Sequence, residues 1–297
     1  MGSPYERVPV MTMSESASLP AATSGRGSGG SDKPQRVGSG WGRRLLTAFA
    51  ICVYLYLFLP LINIIVFTFN EPKGRYNLSW DGFTLGNWAH PFADEELTNA
   101  FGRSLQVAVI AVTISLVMGS LMAIALARYR FTGSKITEVF LVLPLTTPEI
   151  VLGASLYQLF LGRNVTLGAT TVIIAHIMFC VSFVALTVKA RVRGFDWSLE
   201  DAAMDLGASP LRTFRKITFP LILPGIMAAA LLSFALSMDD YIITDFTKGE
   251  FSTFPIQVNN AFRVSFPPQV NVLATMVLVV SVLLLVLTSA RRRPGAL

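Results

Sequence analysis

The chain has 297 residues, of which 53% are apolar and only 14% charged, with a formal net charge of +6. Water-soluble domains carry about 25% charged residues, so this composition indicates a membrane protein and excludes small secreted, collagen-like and nucleic-acid-binding classes. Cys52 and Cys180 both lie in apolar runs and form neither a disulfide framework nor a zinc spacing, and His90 and His176 cannot build a histidine metal site.

Residues 1–40 contain 15 Gly or Ser and no apolar periodicity. Such a stretch buries too little surface to offset its ordering entropy and reads as a disordered cytoplasmic tail. Its Gly-rich piece, 23–31, lacks the Gly-Lys-Ser/Thr ending of a phosphate loop. The first apolar run after it is too long for a signal peptide.

Residues 41–297 carry six long apolar runs, at 45–69, 104–127, 136–161, 168–188, 217–238 and 270–290. A spanning helix needs about 20 residues, and none of the runs alternates as a barrel strand does, so six transmembrane helices are expected. Between the first two, residues 70–103 hold Trp80, Trp88 and the acidic stretch Asp94, Glu95, Glu96. They suggest an interfacial helix with aromatic anchors. The third run contains Glu138 and Glu149, and Pro144 and Pro148 predict a kink beside Glu149.

Lys and Arg fall unevenly between the connections. The N-terminal tail, the links after the second and fourth runs, and the C-terminus hold 18 of them; the three intervening links hold six. By the positive-inside bias, both termini and the long loop 189–222 face the cytoplasm.

That loop has its own pattern. Ser198 and Asp201 stand at a capping-box spacing, and Leu199, Ala202, Ala203 and Leu206 recur as one apolar stripe. Gly207 sits where a left-handed cap ends a helix, and Ser209-Pro210 restarts one. Two short amphipathic helices at an angle are expected, offering a surface to a cytoplasmic partner.

The order Asp201-Ala202-Ala203, three residues, Gly207, nine residues, Ile217, one residue, Phe219-Pro220 resembles the Glu-Ala-Ala loop of bacterial binding-protein-dependent ABC transporter permeases. The spacing matches throughout, with Asp201 in place of Glu and Phe219 in place of Leu. The stretches RYRFTG (128–133), PEIVLGASL (148–156), EDAAMDLGAS (200–209) and LSMDDYIITDF (236–246) are similar to the second permease of spermidine/putrescine importers. The resemblance implies an all-α type I importer fold with no covalent chemistry. Glu200, Asp201, Ala202, Ala203, Gly207, Ala208, Ile217 and Pro220 are then expected to couple the chain to an ATPase. It also implies a second homologous permease, an extracytoplasmic substrate-binding protein and a polyamine cargo. ATP and Mg belong to the ATPase pair, since this chain has no nucleotide-binding motif of its own. The expected location is a bacterial cell membrane, in contact with lipid.

Charges inside spans are costly, so each marks a candidate site. Asp239 and Asp240, about 20 residues beyond Pro220, fall in the outer half of the fifth span, where two adjacent carboxylates need compensation. With Glu149, Tyr157 and Tyr241 they form the expected lining of a polycation path, the tyrosines offering aromatic faces to an ammonium group. Glu138 is expected to snorkel to the cytoplasmic interface, and His176 to be a hydrogen-bonded packing residue. Rival readings are an importer of another cargo (amino acid, opine, thiamine or metal chelate) and a secondary carrier driven by an ion gradient. The carrier is disfavoured by the lack of inverted repeats or paired broken helices. A membrane enzyme is disfavoured because no nucleophile is paired with a base.

Overall fold

The computed structural model describes residues 40–129 and 131–290. The expected tail, Gly40 apart, lies outside the described residues. Described residues are helical or irregular, with two isolated bridges, Asn70 with Phe83 and Tyr76 with Phe266. The chain divides after Tyr54 into two packing units. The first holds the start of helix α1 (Gly40–Phe67), and the second holds the rest of α1 and every later element.

The connection between α1 and the next long helix does not form the expected interfacial helix. It contains a single turn, α2 (Gly86–Ala89), and an irregular loop held by buried asparagines. Asn70 Nδ2 donates to Asn77 Oδ1 at 2.6 Å, Asn77 Nδ2 to the Phe67 carbonyl at 2.9 Å, and Asn87 Nδ2 to the Thr68 and Asn70 carbonyls. These amides satisfy backbone groups left at the end of α1, which is why this stretch needs no helix of its own. Trp88 serves the same junction, donating from Nε1 to the Thr68 hydroxyl.

Helix α3 (Glu95–Arg128) begins earlier than its apolar run. Asp94 caps it, accepting the Leu97 N–H at 2.9 Å, and Glu95 and Glu96 complement the positive end of its dipole. At 34 residues it is about 50 Å long, more than the roughly 30 Å hydrocarbon layer requires, and the excess corresponds to its polar first turns.

The third apolar run breaks before Pro148, more sharply than a simple kink. Helices α4 (Ser134–Thr146) and α5 (Glu149–Gly162) meet at 108°. Proline disfavours helical geometry in the residue before it, and Thr147 accordingly takes extended angles (φ −79°, ψ 132°). Glu138 on α4, partly exposed, has an ion-pair partner that the sequence did not indicate: its Oε1 lies 2.5 Å from Nζ of the buried Lys189 on helix α6 (Ala169–Val192). A buried ammonium needs a countercharge, and Glu138 is within reach.

Helix α7 (Ser198–Asp205) lies in the loop 189–222. Helix α8 (Pro210–Thr213) is not a separate element, because it runs through a π-turn (Phe214–Thr218) into α9 (Phe219–Asp239), giving one helix of 30 residues. The Phe219 N–H reaches back to the Phe214 carbonyl, and this wider turn accommodates Pro220, which has no N–H to donate. Beyond it come α10 (Ile242–Thr247), α11 (Phe254–Val264) and α12 (Pro268–Ala290). Among the described residues four helices are long and apolar enough to cross a membrane. The bent pair α4–α5 and the apolar α12 correspond to the remaining two runs.

Helices α3, α6 and α9 pack on one another as the centre of the second unit. Their shared core is Ala123, Val184, Val188, Val192, Ile222 and Ala229. Small residues permit the closeness: a Cβ at Gly119 would lie 2.8 Å from the Val184 side chain and 3.0 Å from the Ala185 backbone nitrogen. Outside this centre, Tyr56, Leu57 and Phe58 of α1 and Phe140 of α4 stay exposed, as lipid-facing or partner-facing side chains do.

Candidate functional site

Two places gather the polar residues that apolar helices would otherwise exclude. One is a cavity of about 440 Å³ inside the bend between α4 and α5. Its walls include Pro144, Thr147 and Glu149 from the bend, Phe179 and Phe183 from α6, and Asp239, Asp240 and Tyr241 from the end of α9. Four of the five residues expected to line a path therefore meet here. Tyr157 does not, because two turns of α5 carry it away from the bend to an exposed position.

The two adjacent carboxylates are not equivalent. Asp240 turns inward, and its Oδ2 accepts the Thr244 backbone N–H at 2.8 Å and the Thr244 hydroxyl at 2.7 Å. His176 stands behind it, with Nε2 at 2.9 Å from Thr244 Oγ1 and 3.4 Å from Asp240 Oδ2, and Nδ1 at 2.7 Å from Ser237 Oγ. The Thr244 hydroxyl spends its one proton on Asp240, so it accepts from His176, which places a proton on Nε2. Thus His176 is the hydrogen-bonded packing residue expected, and it also braces the break between α9 and α10. Asp239 and Glu149 are exposed and have no ion-pair partner among the described residues. The cavity therefore presents two free carboxylates beside aromatic rings, a wall suited to an extended organic cation.

The second place is the loop 189–222. The Ser198 hydroxyl does not cap α7 as its spacing suggests. Asp196 does the capping, its Oδ1 accepting the Ser198 N–H at 3.0 Å. Hydrogen bonds from the Ser198 side chain and backbone hold the Asp196 carboxyl below the usual carboxylate range. At the other end Gly207 is left-handed (φ +84°), as its position implied, with its N–H on the Met204 carbonyl and that of Ala208 on the Ala203 carbonyl. This is the Schellman closure, which β-branched side chains strain.

The polarity of α7 is inverted with respect to a helix that packs on its own chain. Its leucines point away from the rest of the unit: Leu199 is exposed, and Leu206, just beyond its end, is 90% exposed, whereas Ala203 and Met204 are half-buried. The charged Glu200 is buried at 3% exposure, in an ion pair with Arg128 and accepting the Thr218 hydroxyl. Asp201, Ala202 and Gly207 are exposed, Ala203, Ala208 and Ile217 half-buried, and Pro220 exposed on the first turn of α9. The loop residues expected to act together thus split, with Glu200 facing inward and Asp201 outward. Sequence reasoning missed Arg128 and Thr218 as partners of Glu200, and Thr244 as the partner of Asp240. Thr244 was within reach, four residues after Asp240 at the start of a helix. Arg128 carried no such signal.

A family model described as binding-protein-dependent transport system inner membrane component matches residues 115–293. The chain is 38% identical over 82% of its length, and 95% of the other's, to the spermidine/putrescine transport system permease protein PotC of Haemophilus influenzae. It is 35% identical over 76% of its length, and 82% of the other's, to the putrescine transport system permease protein PotI of Escherichia coli. Among solved structures, a chain of a bacterial ABC transporter involved in the import of the acidic polysaccharide alginate superposes with a TM-score of 0.60 at 17% identity, covering 87% of this chain and 99% of that one. The MetNI methionine ABC transporter superposes with a TM-score of 0.53 at 14% identity, covering 65% and 93%. At such identities the structural likeness concerns the fold.

Proposed function

Because the chain belongs to the family of binding-protein-dependent transport system inner membrane components, we propose that it imports polyamines as one permease subunit of an ATP-driven complex. It is a multi-pass inner-membrane protein without catalytic chemistry of its own. The observation that carries the cargo reading is the cavity in which Glu149 and Asp239 stand without an ion-pair partner among the described residues, beside Phe179, Phe183 and Tyr241. An alkyl chain bearing two or more ammonium groups matches that wall, with charges on the carboxylates and methylenes on the rings. The names of the relatives PotC and PotI agree with such a cargo.

Four other components complete the work. An extracytoplasmic protein delivers cargo, a second homologous permease supplies the other wall of the path, and two ATPase subunits hold ATP and Mg. The outward apolar face of α7 and Leu211 at 76% exposure support docking on an ATPase groove, a use of amphipathic helices seen widely. The Lys and Arg asymmetry supports cytoplasmic termini and a cytoplasmic α7.

Two measurements test this reading. Cells carrying the gene should take up labelled spermidine saturably, with competition by putrescine, and cells lacking it should not; uptake indifferent to amines overturns the cargo. For orientation, single cysteines replace Leu78 and Leu206 in a Cys52→Ser/Cys180→Ser background. An impermeant thiol reagent should label position 78 in intact cells and position 206 only after the membrane is opened. Labelling of 206 in intact cells overturns the orientation.

A further inference from the structure

We propose that Glu200 is a positioning residue that carries movement of α7 directly into α3 and α9, a role resting on the ATPase-docking reading above. Its carboxylate is buried, pairs with Arg128 at the last residue of α3, and accepts the hydroxyl of Thr218 at the last residue of the π-turn that opens α9. Three separate elements therefore meet on one side chain. The Arg128 guanidinium also lies 5.1 Å from the ring centre of Trp197, the residue before α7, and Trp197 packs on the core shared by α3, α6 and α9.

The need for such a link comes from how α7 is attached. Its eight residues are followed by the left-handed Gly207, and the segment 206–209 between α7 and α8 is not helical. A push on the exposed residues Asp201 and Leu206 would bend that junction before it moved a span. The Glu200 cluster bypasses the junction. Charge-assisted hydrogen bonds are short and directional, and the burial of Glu200 and Thr218 shields their side of the cluster from water that would replace these bonds, while Arg128 reaches in from the surface. Neighbouring residues thus divide the work: Asp201 faces the partner, and Glu200 grips the spans. Because α9 ends at Asp239, a displacement entering at Thr218 travels along one helix to the wall of the polar cavity.

The test uses the complete importer in proteoliposomes, with spermidine as cargo, and reads three quantities: ATPase co-purification, ATP hydrolysis and spermidine imported per ATP. Glu200→Gln should assemble and hydrolyse ATP within about twofold of the parent while importing about tenfold less spermidine per ATP. Thr218→Val, which keeps the ion pair, should lose about threefold in the same ratio. The exchange Glu200→Arg/Arg128→Glu restores the ion pair but leaves the Thr218 hydroxyl without its acceptor, so it should recover the ratio to about the Thr218→Val level, which a residue serving only local folding would not do. An unchanged ratio in Glu200→Gln overturns the proposal, as does loss of the assembled complex in both Glu200→Gln and Thr218→Val. A parallel loss of hydrolysis and co-purification makes Glu200 a docking residue and also overturns it. Asp201→Lys separates the two readings: if that variant keeps its ATPase and its transport, the docking reading itself fails.

Discussion

Asp239→Asn is expected to lower spermidine uptake by about tenfold, roughly 1.4 kcal/mol of lost cation stabilisation, while the protein still inserts and its complex still hydrolyses ATP. Asn keeps the shape of the side chain and removes only its charge. Glu149→Gln should act in the same direction, and the double variant should discriminate against spermidine at least as strongly as against putrescine, because spermidine carries more charge. Asp240→Asn should behave differently despite being adjacent. Its oxygen still accepts from Thr244, so the brace formed with His176 survives, and uptake should fall by no more than about threefold. Asp240→Ala removes the acceptor and leaves the Thr244 groups and His176 without it. Its signature is a lower melting temperature in detergent, corresponding to about 1–3 kcal/mol. Uptake kinetics on the five variants, with detergent melting curves, decide the matter. Equal losses from Asp239→Asn and Asp240→Asn would mean that the inward turn of Asp240 has no consequence for transport.

Gly207→Val should abolish association with the ATPase. At φ +84° a β-branched residue is strained by about 1–3 kcal/mol, and the relief is to abandon the turn. The bonds from Gly207 and Ala208 to the Met204 and Ala203 carbonyls are then lost, and the exposed Leu206 moves with them. No atom lies within 4 Å of a Cβ placed at Gly207, so the defect comes from backbone geometry and not from a clash within the chain. Gly207→Asn should therefore be much milder, since Asn tolerates the left-handed region. Asp201→Lys should lose association through charge instead, without disturbing α7. Co-purification of the ATPase with each variant measures both, and full association in Gly207→Val and Asp201→Lys would remove this loop from the interface.

Apolar run length and the positions of Lys and Arg determine that this is a multi-span membrane protein, because hydrocarbon thickness sets a length that a chain must meet residue by residue. The spacing from Asp201 through Gly207 to Pro220 is likewise local, and it places the left-handed cap and the exposed turn after α7 without reference to the rest of the molecule. Pro148 announces a break in the third run, because a proline's restriction acts on its immediate neighbour. Local information ends at the size of that break: nothing in 136–161 distinguishes a bent span from two helices at 108°. Nor can it say that Pro210–Thr218 extends α9 through a π-turn, since the widened turn depends on the backbone bond from Phe219 to Phe214. The partition of charges is the largest difference. Asp239 and Asp240, or Glu200 and Asp201, are indistinguishable neighbours in a chain. Packing separates them, because a carboxylate can turn inward only where donors from other elements await it: Thr244 with His176 behind Asp240, and Arg128 with Thr218 around Glu200. Three of these donors lie on elements remote in sequence, so the roles of the four carboxylates come into being only when α3, α6 and α9 close on one another.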